Sequence, residues 1–96
     1  MIRQIAEKLP ETELLAQLAE ECAELSKAAL KLRRSLDGTN PTPMSREEAK
    51  KNLIEEIADV FICIDTVAIA EEIDIKSVFE ISEVKMARWM ERLEIG

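Results

Sequence analysis

The sequence contains no histidine, no tyrosine and only three aromatic residues among its 96. Without histidine, the chain cannot build a Ser-His-Asp or Cys-His catalytic arrangement or a Cys/His zinc site. The two cysteines, Cys22 and Cys63, are too far apart for a CxxC motif, and their apolar neighbours predict reduced, buried thiols. The chemistry that remains must use carboxylates, lysines, arginines, hydroxyl groups or a metal.

Positive charge and long apolar runs are also scarce. The formal net charge is −7 at pH 7, which disfavours nucleic-acid backbones and anionic membranes as partners because both would repel the chain. No apolar run approaches the roughly 20 residues that a membrane span needs. The first residues lack the apolar stretch of a signal peptide, so a cytoplasmic location is expected.

Size and composition predict one small globular domain over residues 1–96. Apolar residues make up 47% of the chain, which is ordinary for a globular protein and argues against disorder. With so few aromatics, the core must be built from Leu, Ile, Val, Ala and Met, and in so small a domain that core is thin. Burial between subunits would enlarge it, so we expect self-association as a homodimer or a homotetramer.

Turn-forming residues are concentrated in Asp37–Pro43 and at the terminal Gly96, and the rest of the chain has helical periodicity. The predicted helices are Ile2–Lys8, Glu11–Leu36, Ser45 to about Glu72, and Ile75 to about Leu93. The fold class that follows is all-α, an antiparallel bundle of three main helices that a second subunit would complete.

Capping residues support these helix ends. Pro10 suits a first helical turn, and Gly38 suits a helix stop. Ser45 and Glu48 form a capping box at the start of the second long helix, and Asp74 is expected to cap the third. The helix bounds therefore rest on local chemistry as well as on periodicity.

Apolar stripes recur along each long helix and are predicted to face the core. On the first long helix they are Leu14, Leu18, Cys22, Leu25, Ala29 and Leu32. On the second they are Leu53, Ile57, Val60, Ile64 and Val67. On the third they are Val78, Ile81 and Val84, with Met86 and Trp89 as further candidates.

One acidic pattern occurs on both of the first two long helices. Ala19–Leu25 and Ile54–Val60 share the order apolar, acid, acid, apolar, Ala, acid, apolar. At about 100° per residue, Glu21 and Glu24 lie about 60° and 120° to one side of Leu18. Two acids one turn apart therefore lie at the edge of the first apolar stripe.

The second helix repeats this geometry. Glu56 and Asp59 lie at the same two angles from Leu53, whereas Glu20 and Glu55 point away from their stripes. Two antiparallel helices packed by these stripes would bring the four edge carboxylates together, and such a cluster repels itself unless a cation is present. All-oxygen ligation suits Mg²⁺, with Mn²⁺ as the alternative. A solvated acidic flank remains the competing interpretation of either motif taken alone.

At these residues the chain resembles the MazG-like superfamily of all-α nucleoside triphosphate pyrophosphohydrolases, whose signature is EExxE followed by ExxD. The motifs stand here as Glu20–Glu24 and Glu56–Asp59, within a resemblance that spans roughly residues 11–92. The resemblance implies that Glu21, Glu24, Glu56 and Asp59 are the catalytic Mg²⁺ ligands. It also implies hydrolysis between the α and β phosphates of a nucleoside triphosphate, giving a nucleoside monophosphate and pyrophosphate.

Family members also carry basic residues on the helix after ExxD. Lys85 and Arg92 match those positions, and Trp89 occupies the place where the family has Asn. Arg88 lies on the same helical face as the two matching residues. The resemblance implies phosphate binding by Lys85 and Arg92, and Arg88 is a further candidate because it shares their face. A solvated flank paired with nearby acids is the alternative for this face. Asn52 lies one turn before Glu56 at roughly the same angle as Asp59, so it is a further substrate-binding candidate on the second long helix.

The sequence thus favours an Mg²⁺-dependent nucleotide pyrophosphohydrolase. Two alternatives stay open. One is a non-catalytic helical oligomerisation or interaction module, and the other is a degenerate family member that binds nucleotide or metal without turnover. Trp89 is relevant to the second alternative because it replaces the family's Asn at a position implied to recognise the base or sugar of the substrate.

Overall fold

A computed structural model of the chain describes residues 1–38 and 44–95. Within them, every regular element is an α-helix: α1 (Ile2–Lys8), α2 (Glu11–Asp37), α3 (Arg46–Ala70) and α4 (Ile75–Arg92). These bounds confirm the predicted all-α class and its element order. Most of the predicted turn segment, as well as Gly96, lies outside the described residues. No described helix combines the length and apolarity that crossing a membrane requires.

Ser45 and Asp74 accept the backbone hydrogen bonds expected of N-cap residues, and Pro10 lies at the N-cap of α2. Ser45 Oγ accepts the backbone N–H of Glu48 at 3.1 Å, and Asp74 Oδ1 accepts that of Lys76 at 3.0 Å. Gly38 takes the left-handed conformation, with φ of 65°, after the last residue of α2. A side chain at that position would be strained, so glycine ends the helix at the lowest conformational cost.

The core lies where α2 packs along α3 and α1 packs against the end of α3. Ala6, Leu14 and Val67 form its buried cluster. Since Leu14 is near the start of α2 and Val67 is near the end of α3, the two helices run antiparallel as a hairpin. Ala28 and Ala49 are almost fully buried, and these small side chains let the two backbones approach closely.

The packed faces of α2 and α3 are not centred where the sequence stripes predicted. The buried residues Leu14 and Ala28 on α2, and Ala49 and Cys63 on α3, lie about 40–80° from the predicted stripe centres at 100° per residue. The shift is towards the acidic motifs on both helices.

Four predicted core residues are therefore exposed, namely Cys22, Ala29, Ile57 and Ile64. The prediction that both thiols are buried is wrong for Cys22 and right for Cys63, and both cysteines are free. The physical reason is that α3 has apolar residues on nearly every side, so its sequence does not define a single packed face.

Helix α4 has no extensive packing with any other described helix. Its predicted inward residues are all exposed: Val78, Ile81, Val84, Met86 and Trp89. The prediction that they turn inward is wrong for the single chain. The radius of gyration of 16.8 Å exceeds the roughly 12–13 Å expected for a compact chain of this length, because α4 projects from the hairpin.

Candidate functional site

Three of the predicted carboxylates converge at one flank of the α2–α3 hairpin. One oxygen each from Glu21, Glu56 and Asp59 lies within 4.8 Å of the other two. Glu21 and Glu56 occupy equivalent positions on the packed faces of α2 and α3 and are half-buried, whereas Asp59 is exposed one turn beyond Glu56. Because rigid helices hold all three, their spacing does not depend on a loop.

Glu56 carries the clearest sign of a missing partner. Its Oε2 atom is buried and accepts no hydrogen bond. In the described parts of the chain, no other side-chain oxygen or nitrogen is buried without a hydrogen-bond partner. Burial is the main cause that raises the pKa of Glu56, and the nearby charges of Asp59, Glu21 and Glu24 raise this pKa further. A buried carboxylate surrounded by other carboxylates is unfavourable when ionised.

These residues fit a hard divalent cation. Carboxylate oxygens are the ligands that Mg²⁺ and Mn²⁺ prefer, and an ion between them would satisfy the unpartnered oxygen of Glu56 and relieve the repulsion. A zinc or iron–sulfur site would instead call for sulfur or imidazole ligands, and the chain has no histidine.

Glu24 lies next to this group but outside it. Its Oε1 faces the Lys27 ammonium at 3.4 Å on the exposed surface of α2. Its charge nevertheless contributes to the raised pKa of Glu56, and Glu24 lies one turn after Glu21 on the same side of α2. Such an exposed ion pair costs little to break. Glu24 thus remains a predicted ligand.

The predicted substrate-binding residues lie in two different places. Asn52 is half-buried on α3, one turn before Glu56 and on the same side as Asp59. Lys85, Arg88 and Arg92 are exposed on α4. The three basic residues line a shallow groove along that helix together with Ser82, Met86 and Trp89. Within one chain, α4 does not bring these basic residues into the carboxylate group.

Sequence reasoning overlooked Cys63 as a neighbour of the site. Its thiol is buried one turn after Asp59, and burial first, then the charges of Glu21 and Asp59, raises its pKa. The Cys63 thiol therefore stays protonated beside the carboxylates and does not act as a nucleophile. The sequence does indicate this neighbour, because Cys63 follows Asp59 by four residues and residues at that spacing lie next to each other on a helix.

In a comparison with known protein families, residues 9–92 match the MazG nucleotide pyrophosphohydrolase domain. This range contains both acidic motifs and the basic positions of α4. No curated protein and no solved structure matches the chain at a significant level. The family match covers most of the 96 residues, and the chain therefore belongs to the MazG nucleotide pyrophosphohydrolase domain family.

Proposed function

We propose that this protein is a magnesium-dependent nucleoside triphosphate pyrophosphohydrolase that cleaves between the α and β phosphates. The products are a nucleoside monophosphate and pyrophosphate. The observation that carries this proposal is the convergence of Glu21, Glu56 and Asp59 around a buried oxygen without a hydrogen-bond donor. Membership of the family supports nucleotide pyrophosphohydrolase activity in general, and the carboxylate group supports the more specific metal-dependent reaction.

In this proposal Glu21, Glu56 and Asp59 bind the metal ion. Glu24 breaks its ion pair with Lys27 and becomes the fourth carboxylate ligand. Mg²⁺ is the expected ion and Mn²⁺ the alternative. When bound, a divalent ion would neutralise phosphate charge and lower the pKa of a bound water molecule, which would then act as the nucleophile.

The position of each carboxylate suits its proposed role in metal binding. Glu21 and Glu56 are half-buried between α2 and α3, so their side chains are held by packing, and Asp59 is exposed at the edge from which a substrate approaches. Val60 and Cys63, each one turn after a carboxylate of the group on α3, are buried. Such rigid placement lowers the reorganisation that catalysis requires.

The triphosphate needs positive charge that the hairpin flank does not have. Lys85 and Arg92 are proposed to bind its phosphates, with Arg88 and Asn52 as further contacts. Their exposure on α4 leaves them free to act once that helix is placed in the assembled protein. Homodimer or homotetramer formation and a cytoplasmic location remain predictions.

The test is hydrolysis of a panel of nucleoside triphosphates with Mg²⁺, followed by measurement of pyrophosphate and nucleoside monophosphate. We expect the two products in equal amounts, loss of both with a chelator, and loss of both in Glu56→Gln. The matched control is Glu55→Gln, which removes the same charge from the neighbouring exposed position and should retain activity.

Wild-type protein that releases no more pyrophosphate than Glu56→Gln would contradict the proposal. If Mg²⁺ and nucleotide then still raised the melting temperature of the wild type, the protein would be a binding-only family member. With neither effect, the interaction module would be the better interpretation.

A further inference from the structure

Helix α4 carries the only tryptophan of the chain, Trp89, and its side chain is 59% exposed. The chain has no tyrosine, and its other aromatic residues are Phe61 and Phe79. An exposed indole offers a large, flat apolar surface, and other planar rings stack on such a surface. The residues around Trp89 on α4 indicate what kind of ring would reach it.

The charged residues of α4 are divided between two sides of the helix. With Met86 as the centre of the apolar side, helical periodicity places three cations about 100–160° to one side and three acids about 60–140° to the other. The cations are Lys85, Arg88 and Arg92, and the acids are Glu80, Glu83 and Glu91. Trp89 lies about 60° from Met86 in the direction of the cations. The indole therefore belongs to the basic edge of the apolar side rather than to its centre.

Trp89 and the three cations line the same groove. Lys85 precedes Trp89 by one turn and Arg92 follows it by one turn, and residues at these spacings have their Cβ atoms about 5–6 Å apart. The groove has a volume of about 540 Å³, which is within the roughly 300–1,000 Å³ of small-molecule sites. A ligand in this groove meets positive charge and an aromatic plane side by side.

This combination fits a nucleotide. Phosphates pair with lysine and arginine, and a nucleobase stacks on an aromatic face. The ribose of a nucleotide holds the base to one side of the phosphates. Trp89 is likewise rotated about 40° from Lys85 and about 60° from Arg92, in both cases towards the apolar side. Phosphates bound by these two cations would therefore bring the base next to the indole.

The groove offers little that could recognise the edge of a base. Among the described residues that line it, Ser82 is the one uncharged polar residue, and its hydroxyl donates to the backbone oxygen of Val78 at 2.9 Å. No amide side chain is present among these lining residues. Stacking alone accepts every base, because every base has a π-face. Its strength increases with ring area, which is larger in purines than in pyrimidines.

We infer that Trp89 stacks on the base of the bound nucleotide and determines its specificity, favouring purine over pyrimidine nucleoside triphosphates with little discrimination among purines. The inference rests on the proposed function, which assigns the phosphates to Lys85 and Arg92, and it adds the contact to the base. Trp89 is therefore a binding residue, separate from the carboxylates that hold the metal.

The first test uses the fluorescence of the protein, which reports on Trp89 because the chain has one tryptophan and no tyrosine. The wild type is titrated in Mg²⁺ with the α,β-methylene analogues of ATP, GTP and CTP and with tripolyphosphate, which has no base. We expect saturable quenching by the analogues, with similar affinity for the two purines and about threefold or weaker affinity for the pyrimidine. Tripolyphosphate should not quench. Quenching by tripolyphosphate equal to that by the ATP analogue, or no quenching by any of them, would overturn the inference.

The second test compares Trp89→Leu with Phe79→Leu. Phe79 is a matched control because it is 64% exposed on the same helix but lies about 80° from Trp89 and outside the groove. In Trp89→Leu we expect the KM for ATP to rise about tenfold with kcat unchanged, since stacking is equal in the ground and transition states. Trp89→Phe should restore most of the affinity, and Phe79→Leu should keep the wild-type KM.

The same measurements separate this inference from the proposed function. An active wild type with an unchanged KM in Trp89→Leu would overturn the inference alone. A lower molar mass of Trp89→Leu in solution, with the KM changed only through that dissociation, would also overturn it, because Trp89 would then be a subunit contact. If the wild type releases no pyrophosphate, the proposed reaction fails, and the fluorescence titrations still decide whether a base stacks on Trp89.

Discussion

The two sides of the α2–α3 hairpin differ in chemistry although the same two helices build them. Asp59 and Ile57 lie on opposite sides of the packed face of α3, and both are exposed. The carboxylate flank, with Glu21, Glu56 and Asp59, contains a buried oxygen without a hydrogen-bond donor. The opposite side of the hairpin exposes apolar side chains instead, among them Ile57 and Phe61. A single hairpin therefore presents a candidate metal site on one side and an exposed apolar surface on the other.

The difference between the sides also indicates where positive charge is needed. In the proposed function, Lys85 and Arg92 on α4 would supply this charge to the phosphates of a triphosphate bound at the carboxylate flank.

The largest effect that would sharpen this distinction is on substrate binding. In the double variant Lys85→Ala, Arg92→Ala we expect the KM for the triphosphate to rise about tenfold or more, because two charge-assisted phosphate contacts are lost. The molar mass in solution should stay unchanged. Lys76→Ala, which removes a lysine from the first turn of α4, is the matched control. A KM that is the same in the double variant and the control would remove these residues from the site.

A smaller effect concerns the stability of the metal-free protein. The pKa of Glu56 is raised above its ordinary value near 4.5, chiefly by burial, so the folded state binds this proton more tightly than the unfolded state does. The associated stability is fully present below about pH 4.5 and is lost as the pH rises through the folded-state pKa. In a chelator, the melting temperature of the wild type should therefore fall relative to that of Glu56→Gln as the pH rises from 4 to 7.

The difference between those two melting temperatures isolates Glu56 from the other carboxylates, whose titration both proteins share. A difference that stays constant over this pH range would show that Glu56 is not desolvated. Addition of Mg²⁺ at pH 7 should raise the melting temperature of the wild type, because the ion replaces the proton as the partner of the carboxylate.

Local features of this fold could be predicted from the sequence, because the residues that set them are adjacent. Ser45 and Asp74 cap their helices through hydrogen bonds over two or three residues, and Gly38 ends α2 through its own backbone conformation. The shared acidic pattern on two helices needed only helical geometry to select Glu21, Glu24, Glu56 and Asp59. The structure brings together the carboxylates of Glu21, Glu56 and Asp59, and metal binding by these residues stays a prediction.

Features that depend on packing were less predictable. The sequence of α3 offers Ile57 and Ile64 as well as Val60 and Val67 for the core, and only contact with α2 decides that the latter pair is buried. That decision also moves Glu56 towards the packed face and creates its orphaned oxygen. The exposure of α4 could not be predicted either. Its amphipathic pattern indicates an apolar side but does not identify the surface against which that side packs.

Binding of a divalent metal ion by the carboxylate flank is tested most directly by equilibrium Mn²⁺ binding, measured by electron paramagnetic resonance. We predict saturable binding to the wild type and at least tenfold weaker binding to Asp59→Asn. Asp65→Asn, an exposed position on the same helix outside the carboxylate group, should bind as the wild type does. Equal Mn²⁺ affinity in all three proteins, or no saturable binding in any of them, would contradict the account.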